Sequence, residues 1–363
     1  MDANSPIRND IFRGLSHNYT IGNFKGYSGR FDRSTIAQLK THDEVAAIDP
    51  DHIVTSSIID ACCRRGSKPV TQNNASYALH QISHREPAGT DYIYKSPAGR
   101  GTFAYIIDTG IFTKHEEFEK RAKAGFDIDR EPAEREVDRI GQGTFAAALV
   151  GGKTFGVAKK CSLVSVKVAS RHGGLVGLTD VLVGLNFAVK DIVTKKRQSK
   201  AVILLGFDSN GDVSAITKAL SEAHDKGITI VTAAGHGGAT IDKAGKDAGY
   251  GFNLAKGAIV VAATDMQRKR ASFSNWGSKV TIFAPGVDLV SAEIDSPSAT
   301  KARSGTGISA AYIAGLILYL KSVYKLPDPK STTAKLLELA TKDVVKDAKE
   351  SSNLFAYNGG GEK

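Results

Sequence analysis

The sequence predicts an α/β fold with a mostly parallel central sheet and helices on both faces, preceded by a small α+β unit. Two observations support this prediction. From residue 77 onwards, short runs rich in valine and isoleucine alternate with segments whose apolar residues recur every three or four positions. Upstream, residues 19–57 combine a strand-like alternation, a short helical stretch and a further strand.

The first 76 residues divide into three parts. Residues 1–18 are polar and are expected to be a flexible N-terminus. Residues 19–57 form the compact unit, with a strand pair expected in NYTIGNFKGYSGRF, a helix in STIAQLKTH and a strand in VAAIDPDHIVTSS. Residues 58–76 combine Cys, Arg, Gly, Pro and Asn without periodicity, which predicts a linker.

Residues 77–358 carry the main domain, followed by a short tail at residues 359–363. Its strands are expected in short apolar runs that suit burial on both faces of a sheet: residues 102–110, 161–169, 201–206, 228–235 and 258–264. Helices are expected between residues 175 and 192, over 213–226 and over the long apolar run 305–323. Ligands of such sheets bind at the carboxyl ends of the strands.

The composition excludes several classes of protein. With 41% hydrophobic and 24% charged residues among 363, the chain is globular rather than disordered, collagen-like or a coiled coil. The net charge of +10 comes from basic residues interleaved with acidic ones, so solvated surface is favoured over nucleic-acid binding. No run approaches the ~20 apolar residues of a membrane span. The N-terminus lacks an apolar signal core, so a cytoplasmic location is expected.

Five segments carry a family resemblance in their order and spacing: AYIIDTGI, GTFAAALVGGKTFGVAKK, ITIVTAAG, RASFSNWGSKVTIFAPG and SGTGISAAYIAGL. They resemble the subtilisin-like serine proteases, and within them the proteinase K-like fungal branch, over residues 77–358. Upstream, FKGYSGRFDRSTIAQLKTHDEVAAIDPDHIVT resembles the second half of the inhibitory propeptide of that family. The resemblance implies a subtilisin-like three-layer fold with a truncated propeptide-like subdomain at residues 19–57.

The resemblance also implies a triad of aspartate, histidine and serine, of which the sequence matches only the aspartate, Asp108. Gln142 stands at the histidine position within GQGTF, and Gly307 stands at the serine position within SGTGIS. A neutral amide cannot accept a proton at pH 7, and glycine has no hydroxyl with which to attack. Peptide hydrolysis by the ancestral mechanism is therefore not expected.

Further positions differ from the family pattern. His236 follows Ala-Ala-Gly, where the family carries the asparagine that helps to stabilise the oxyanion. Phe207 and Asp208 alter the Ser-Leu-Gly-Gly segment that frames a side-chain pocket of the bound peptide. Thr281 replaces a calcium-binding aspartate, so neither a metal nor a cofactor is expected. The remaining candidate ligand-binding positions are Thr306, Gly173 and Gly174.

No replacement for the missing groups is expected elsewhere. Ser309 lies two residues beyond Gly307, which places it roughly 200° around the helix axis. His80 and His84 are expected in linkers or on helix surfaces, as surface or locally hydrogen-bonded histidines.

Two functions remain open. In the first, the chain is a pseudoprotease that binds a peptide, a partner protein or a small molecule in the altered cleft without hydrolysis. In the second, the cleft catalyses proton transfer, isomerisation or cyclisation of a small-molecule biosynthetic intermediate, with Asp108, Gln142 and His236 as the reacting groups. In either case residues 19–57 are expected to stay covalently attached, because self-cleavage lacks its chemical groups. Removal by another protease is the alternative.

Overall fold

The computed structural model of the chain describes residues 15–360 with the exception of short internal stretches, namely residues 44, 52, 57–58, 62–70, 97, 130–137, 170–175, 209–212 and 243–250. In chain order the strands are β1 (Leu15–Ile21), β2 (Phe24–Gly29), β3 (Ile53–Ser56), β4 (Ile59–Ala61), β5 (Phe103–Asp108), β6 (Ala122–Asp127), β7 (Ser162–Lys167), β8 (Val176–Gly177), β9 (Ala201–Leu205), β10 (Phe207–Asp208), β11 (Thr229–Ala233), β12 (Ile259–Thr264), β13 (Ile282–Pro285), β14 (Leu289–Ala292), β15 (Thr300–Ser304), β16 (Thr341–Lys342) and β17 (Leu354–Phe355). The α-helices are α1 (Arg33–Lys40), α2 (Tyr77–Ser83), α3 (Gln142–Gly151), α4 (Leu178–Thr194), α5 (Ser214–Asp225), α6 (Thr306–Val323) and α7 (Pro329–Leu339).

A nine-stranded sheet, counted over the described residues, forms the centre of the main domain. Its strand order is β16-β17-β13-β12-β11-β9-β5-β7-β6. Neighbouring strands from β17 to β6 are parallel, and β16 pairs antiparallel with β17. The sequence-based prediction of a mostly parallel sheet is confirmed.

Both faces of this sheet are buried, as the valine-rich and isoleucine-rich runs predict. On one face Ile106 and Leu204 pack in a core cluster with α2, α3 and α6. Their chain neighbours Ile107 and Leu205 point to the opposite face and pack in a second cluster with α4 and α5. Because successive side chains of a strand alternate between faces, strands buried on both faces are apolar at nearly every position.

Helix α6 lies in the core of the protein. By length and composition it is the one helix in the described part of the chain that could cross a membrane, but 89% of that stretch is buried inside the protein. It contacts α3 and the strands β9, β11, β12 and β13. Burial on all sides explains why α6 has no polar face. The first turn of α6 lies towards the carboxyl ends of the strands.

The N-terminal unit docks on the outer surface of α4 and α5. Strands β1 and β2 form an antiparallel hairpin, and the buried Tyr19 and Ile21 of β1 join the core cluster of those two helices. The predicted boundary at residue 19 falls inside β1, which begins at Leu15. The buried side chains of Tyr19 and Ile21 therefore attach β1 to the main domain, and β1 includes residues 15–18, whose polarity predicts a flexible end.

Two aspartates of the same unit cap the helices beneath it. The Asp49 carboxylate accepts hydrogen bonds from the Ala215 N–H (2.9 Å) and the Ser214 hydroxyl (2.8 Å) at the start of α5. The Asp51 carboxylate accepts from the Thr179 N–H (3.2 Å) at the start of α4. Neither helix has a side-chain cap of its own at its N-cap residue, so the docked unit satisfies backbone donors that the main domain leaves unpaired.

The cap at α5 leads to a stability prediction. The substitution Asp49→Ala is expected to lower the free energy of unfolding by about 1–2 kcal/mol, because it removes the helix cap and a negative charge from the helix N-terminus. Urea unfolding of the full chain measures this change, with Asp43→Ala as the control, since Asp43 is an exposed aspartate of the same unit. Equal stability of the two variants would contradict the capping role.

The chain then crosses the carboxyl edge of the central sheet. Strand β3 pairs antiparallel with β10 on one side and with β8 on the other. Strand β4 pairs antiparallel with β15, opposite Ala302, Arg303 and Ser304. The predicted linker at residues 58–76 therefore begins with a strand, because backbone hydrogen bonds to β15 order residues 59–61 in spite of their lack of periodicity.

Candidate functional site

Two of the predicted site residues meet at the end of β5. Asp108 is the last residue of β5 and is fully buried, and the buried Gln142 is the first residue of α3. The Gln142 Nε2 donates to Asp108 Oδ2 (3.5 Å) and to the carbonyl oxygen of Gly206 (3.4 Å). The Thr109 N–H donates to Asp108 Oδ1 (2.7 Å). The side-chain amide of Gln142 therefore serves as a hydrogen-bond donor to the carboxyl group.

Burial dominates the protonation of Asp108. Burial is the largest cause that raises the pKa of the carboxyl group from its ordinary value of 3.8 to about 7; the nearby Asp138 contributes in the same direction, and the hydrogen bond from the Thr109 N–H opposes the rise. The carboxyl group thus changes its charge near neutral pH. No histidine in the described part of the chain is hydrogen bonded to it.

His236 and Thr306 meet on the other side of the cleft. His236 follows β11, and its Nε2 accepts a hydrogen bond from the Thr306 N–H (3.2 Å) in the first turn of α6. In return, the Thr306 hydroxyl oxygen accepts from the Gly235 N–H (3.1 Å). The imidazole stacks on Phe273, with ring centroids 5.2 Å apart. His236 therefore caps α6, and the buried Gly307 follows directly in that same turn.

Partial burial of this imidazole also affects stability. It lowers the pKa of His236 from 6.5 to about 4, whereas the unfolded chain binds the proton at its ordinary pKa. The free energy of unfolding of the wild type should therefore fall as pH drops from 6.5 towards 4. In His236→Asn, which lacks the imidazole, this decrease should be smaller by roughly 1–2 kcal/mol at pH 5. Urea midpoints of both proteins at pH 7 and pH 5 test this. The same pH dependence of the urea midpoint in the wild type and in His236→Asn would contradict this prediction.

The two serines nearest Gly307 in sequence are engaged in other contacts. The hydroxyl of the buried Ser309 donates to the carbonyl oxygens of Ala284 (3.0 Å) and Pro285 (3.1 Å). The hydroxyl oxygen of Ser304 accepts from the Asp288 N–H (2.9 Å). Among the described residues, neither hydroxyl group is hydrogen bonded to Asp108 or Gln142.

Of the remaining predicted positions, Phe207 and Asp208 lie next to β3. Phe207 is buried in β10, and the backbones of Phe207 and Asp208 pair with β3, at Ser56 and Thr55. Gly173 and Gly174 lie outside the described residues. Thr281 contributes to the sheet, since its hydroxyl oxygen accepts from the Val260 N–H (3.1 Å).

Sequence reasoning missed a buried carboxylate beside the site. Asp138 accepts hydrogen bonds from the Thr109 hydroxyl (2.8 Å) and from the N–H groups of Gly141 (2.9 Å) and Thr144 (2.9 Å). It thereby caps α3 and orients the turn after β5. An aspartate placed shortly before the first turn of a helix is a capping signal, and this signal was available in the sequence.

Two protein-family models match this chain. The family model described as Subtilase family, Peptidase S8, matches residues 99–357. The model of the peptidase inhibitor I9 family matches residues 3–57. This chain belongs to the subtilase family. The inhibitor match begins within the residues that were expected to be a flexible end, and it covers more of the chain than the second half of a propeptide.

Relatives of this subtilase are found among fungal proteases. It is 41% identical over 351 residues to "Alkaline protease 1" of Aspergillus oryzae, covering 96% of this chain and 81% of the relative. It is 39% identical over 354 residues to a "Subtilisin-like protease" of Coccidioides posadasii, covering 96% and 82%. Among solved structures, a cold-adapted subtilisin-like serine proteinase matches with a TM-score of 0.71 and 29% identity, over 78% of this chain and 98% of that one. The predicted subtilisin-like fold is confirmed.

The expected cytoplasmic location of this subtilase is wrong. Its similarity to fungal alkaline proteases, together with its inhibitor I9 domain, points to an extracellular rather than a cytoplasmic location. The expectation rested on the polarity of the first residues alone, and that property does not decide whether a chain is exported.

Proposed function

We propose that this subtilase is a non-proteolytic member of its family that binds an extended peptide segment in its cleft without hydrolysing it. The observation that carries the proposal is the hydrogen bond from Gln142 Nε2 to Asp108. In a working triad the aspartate orients an imidazole whose second nitrogen removes a proton from the nucleophile. The amide of Gln142 has no basic nitrogen, so the carboxyl group of Asp108 orients a group that cannot act as a base.

The position of Gly307 supports the same proposal. It lies in the first turn of α6, next to Thr306, where it offers a backbone but no hydroxyl. In subtilisin, removal of the serine or the histidine alone lowers kcat by about 2 × 10⁶-fold, and here both groups differ. The hydroxyls of Ser304 and Ser309 are engaged with other groups and do not substitute for the nucleophile.

The pairing of β3 and β4 supports peptide binding as the retained activity of the cleft. β3 lies between β8 and β10, and β4 lies against β15, so residues 53–56 and residues 59–61 lie along the cleft in extended form. Main-chain ladders of this kind are the usual way in which a sheet edge holds a peptide. The first ligand of the cleft is therefore a segment of the same chain, and residues 19–57 act as a covalently retained subdomain.

The alternative, non-proteolytic catalysis by Asp108, Gln142 and His236, receives less support. The Nε2 lone pair of His236 is used by the Thr306 N–H, and burial keeps this imidazole neutral at pH 7. Asp108 makes its side-chain contacts with Gln142 and Thr109. A proton shuttle between the two sides of the cleft would first have to break the cap of α6.

A hydrolysis assay of the purified full chain tests the proposal. We expect release of fluorescent peptides from labelled casein no faster than with Asp108→Asn, which lacks the carboxylate. Turnover of casein by the wild-type protein that Asp108→Asn abolishes would overturn the proposal. A peptide covering residues 53–61 added in trans should likewise remain intact.

A further inference from the structure

Two histidines and an aspartate come together at the end of α2, away from the cleft. His80 lies in α2 and His84 caps its end, one helical turn later, while Asp91 returns from the following segment. The His80 Nδ1 lies 3.0 Å from Asp91 Oδ1, and the His84 Nε2 lies 3.3 Å from Asp91 Oδ2. The expected surface position of His80 is wrong, because only 3% of this residue is exposed, whereas its contact with Asp91 agrees with a locally hydrogen-bonded histidine.

We propose that His80, His84 and Asp91 bind a divalent transition-metal ion, with Zn²⁺ as the ion of best fit. Two imidazole nitrogens and one carboxylate form a ligand set that zinc accepts, with solvent completing the coordination. Ligand atoms about 2.0–2.2 Å from one tetrahedral ion lie roughly 3.2–3.5 Å from each other. The observed nitrogen-to-oxygen distances of 3.0 and 3.3 Å are close to this range, and the candidate ligand atoms of all three residues lie within 4.8 Å of one another.

The surroundings of His84 prepare its Nε2 for metal binding. Its Nδ1 lies 3.2 Å from the carbonyl oxygen of His80 and 3.0 Å from the hydroxyl oxygen of Ser83. Donation of the Nδ1–H to the carbonyl oxygen leaves the lone pair on Nε2, facing Asp91. A carbonyl partner on the second nitrogen is the usual support of a metal-binding histidine, because it fixes the tautomer and the ring orientation.

Burial is graded across the three ligands. The ring of His80 packs on Gly89, where a Cβ atom would approach its Cε1 to 2.1 Å, so no side chain other than hydrogen fits beside this ring. Asp91 is 39% exposed at its side chain and His84 is 20% exposed, which leaves one side of the cluster open to solvent. The rings of the two histidines are stacked, with their centroids 4.1 Å apart.

Arg268, which contacts the same segment, does not compete for the ligand atoms. The guanidinium group of Arg268 donates to the main-chain carbonyl oxygens of Arg85 and His84 rather than to the Asp91 carboxylate. The bound ion would join the end of α2 to the segment that carries Asp91. Because this arrangement exists in the folded chain, zinc binding should raise the melting temperature.

Calorimetry on the full chain, stripped with EDTA and dialysed, tests the site with Zn²⁺ as the probe. We expect one Zn²⁺ per chain, a rise in melting temperature with Zn²⁺, and visible absorption bands when Co²⁺ replaces it. His80→Gln and Asp91→Asn should each weaken Zn²⁺ binding on the order of 100-fold or more. The control His17→Gln, in β1, should bind like the wild type.

His84→Gln is a second test of the site, because this partly exposed side chain can be replaced without creating a cavity in the core. Circular dichroism establishes that each variant is folded. Absence of Zn²⁺ binding by the wild type would overturn the proposal and leave a hydrogen-bonded His–Asp–His cluster. Binding that survives unchanged in folded His84→Gln and Asp91→Asn would also overturn it.

Discussion

The double variant Gln142→His/Gly307→Ser is expected to cut its own chain between β3 and β4. The substitutions supply a base beside Asp108 and a hydroxyl in the first turn of α6. The backbone ladders of β3 and β4 hold the peptide on either side of the site, so residues 57 and 58 connect the two halves of a bound substrate. Intact-mass spectrometry should therefore reveal two fragments that divide near these residues, where the wild type gives one mass.

Matched variants separate chemistry from folding. Gln142→His alone and Gly307→Ser alone should remain intact, because loss of either group costs about 10⁶-fold in kcat in subtilisin. Adding His236→Asn to the double variant should accelerate cleavage by on the order of 10²-fold, through an oxyanion donor of the family type. A folded double variant that stays uncut would contradict this prediction and would show that changes beyond positions 142 and 307 also prevent hydrolysis.

The second large effect concerns the buried carboxyl group of Asp108. Burial raises its pKa from 3.8 to about 7, so between these values the folded state keeps a proton that the unfolded chain has released. The free energy of unfolding therefore falls as pH rises from about 4 to 7, and this loss is complete above that window. Asp108→Asn removes the titrating group. The free energy of unfolding of this variant, relative to that of the wild type, should therefore rise by roughly 2–4 kcal/mol between pH 4 and pH 8.

Urea unfolding of both proteins across this pH range measures the effect. Asparagine can still accept the Thr109 N–H, which limits the change to the ionisation. The exposed Asp43→Asn serves as the control and should leave the pH dependence of stability unchanged. A stability difference between wild type and Asp108→Asn that does not change with pH would show that Asp108 is not protonated by burial.

Much of the fold could be predicted from local patterns. Consecutive apolar residues such as Ile106 and Ile107 face opposite sides of one sheet, and this two-sided burial is recorded directly in the sequence. The proximity of Asp108 and Gln142 followed from the family resemblance, because these positions match the aspartate and the histidine of the subtilisin-like triad. Local periodicity and recognisable motifs are features that a sequence displays.

Other features depend on contacts between distant segments. Residues 59–61 have no periodic pattern, and they are ordered by backbone hydrogen bonds to β15, which any side chain allows. The capping of α6 by His236 joins residues that are seventy positions apart. The burial of His80 depends on the close approach of Gly89 in the following segment. No local pattern encodes such pairings.

Labelling with a fluorophosphonate, which reacts with an activated serine, tests the central claim most directly. The full-length wild-type protein is incubated with the reagent and mapped by peptide mass spectrometry. The proposed loss of both the attacking hydroxyl and its base predicts that no serine carries the adduct, whereas Gln142→His/Gly307→Ser should acquire it at position 307. A stoichiometric adduct on any serine of the wild-type chain would contradict the account.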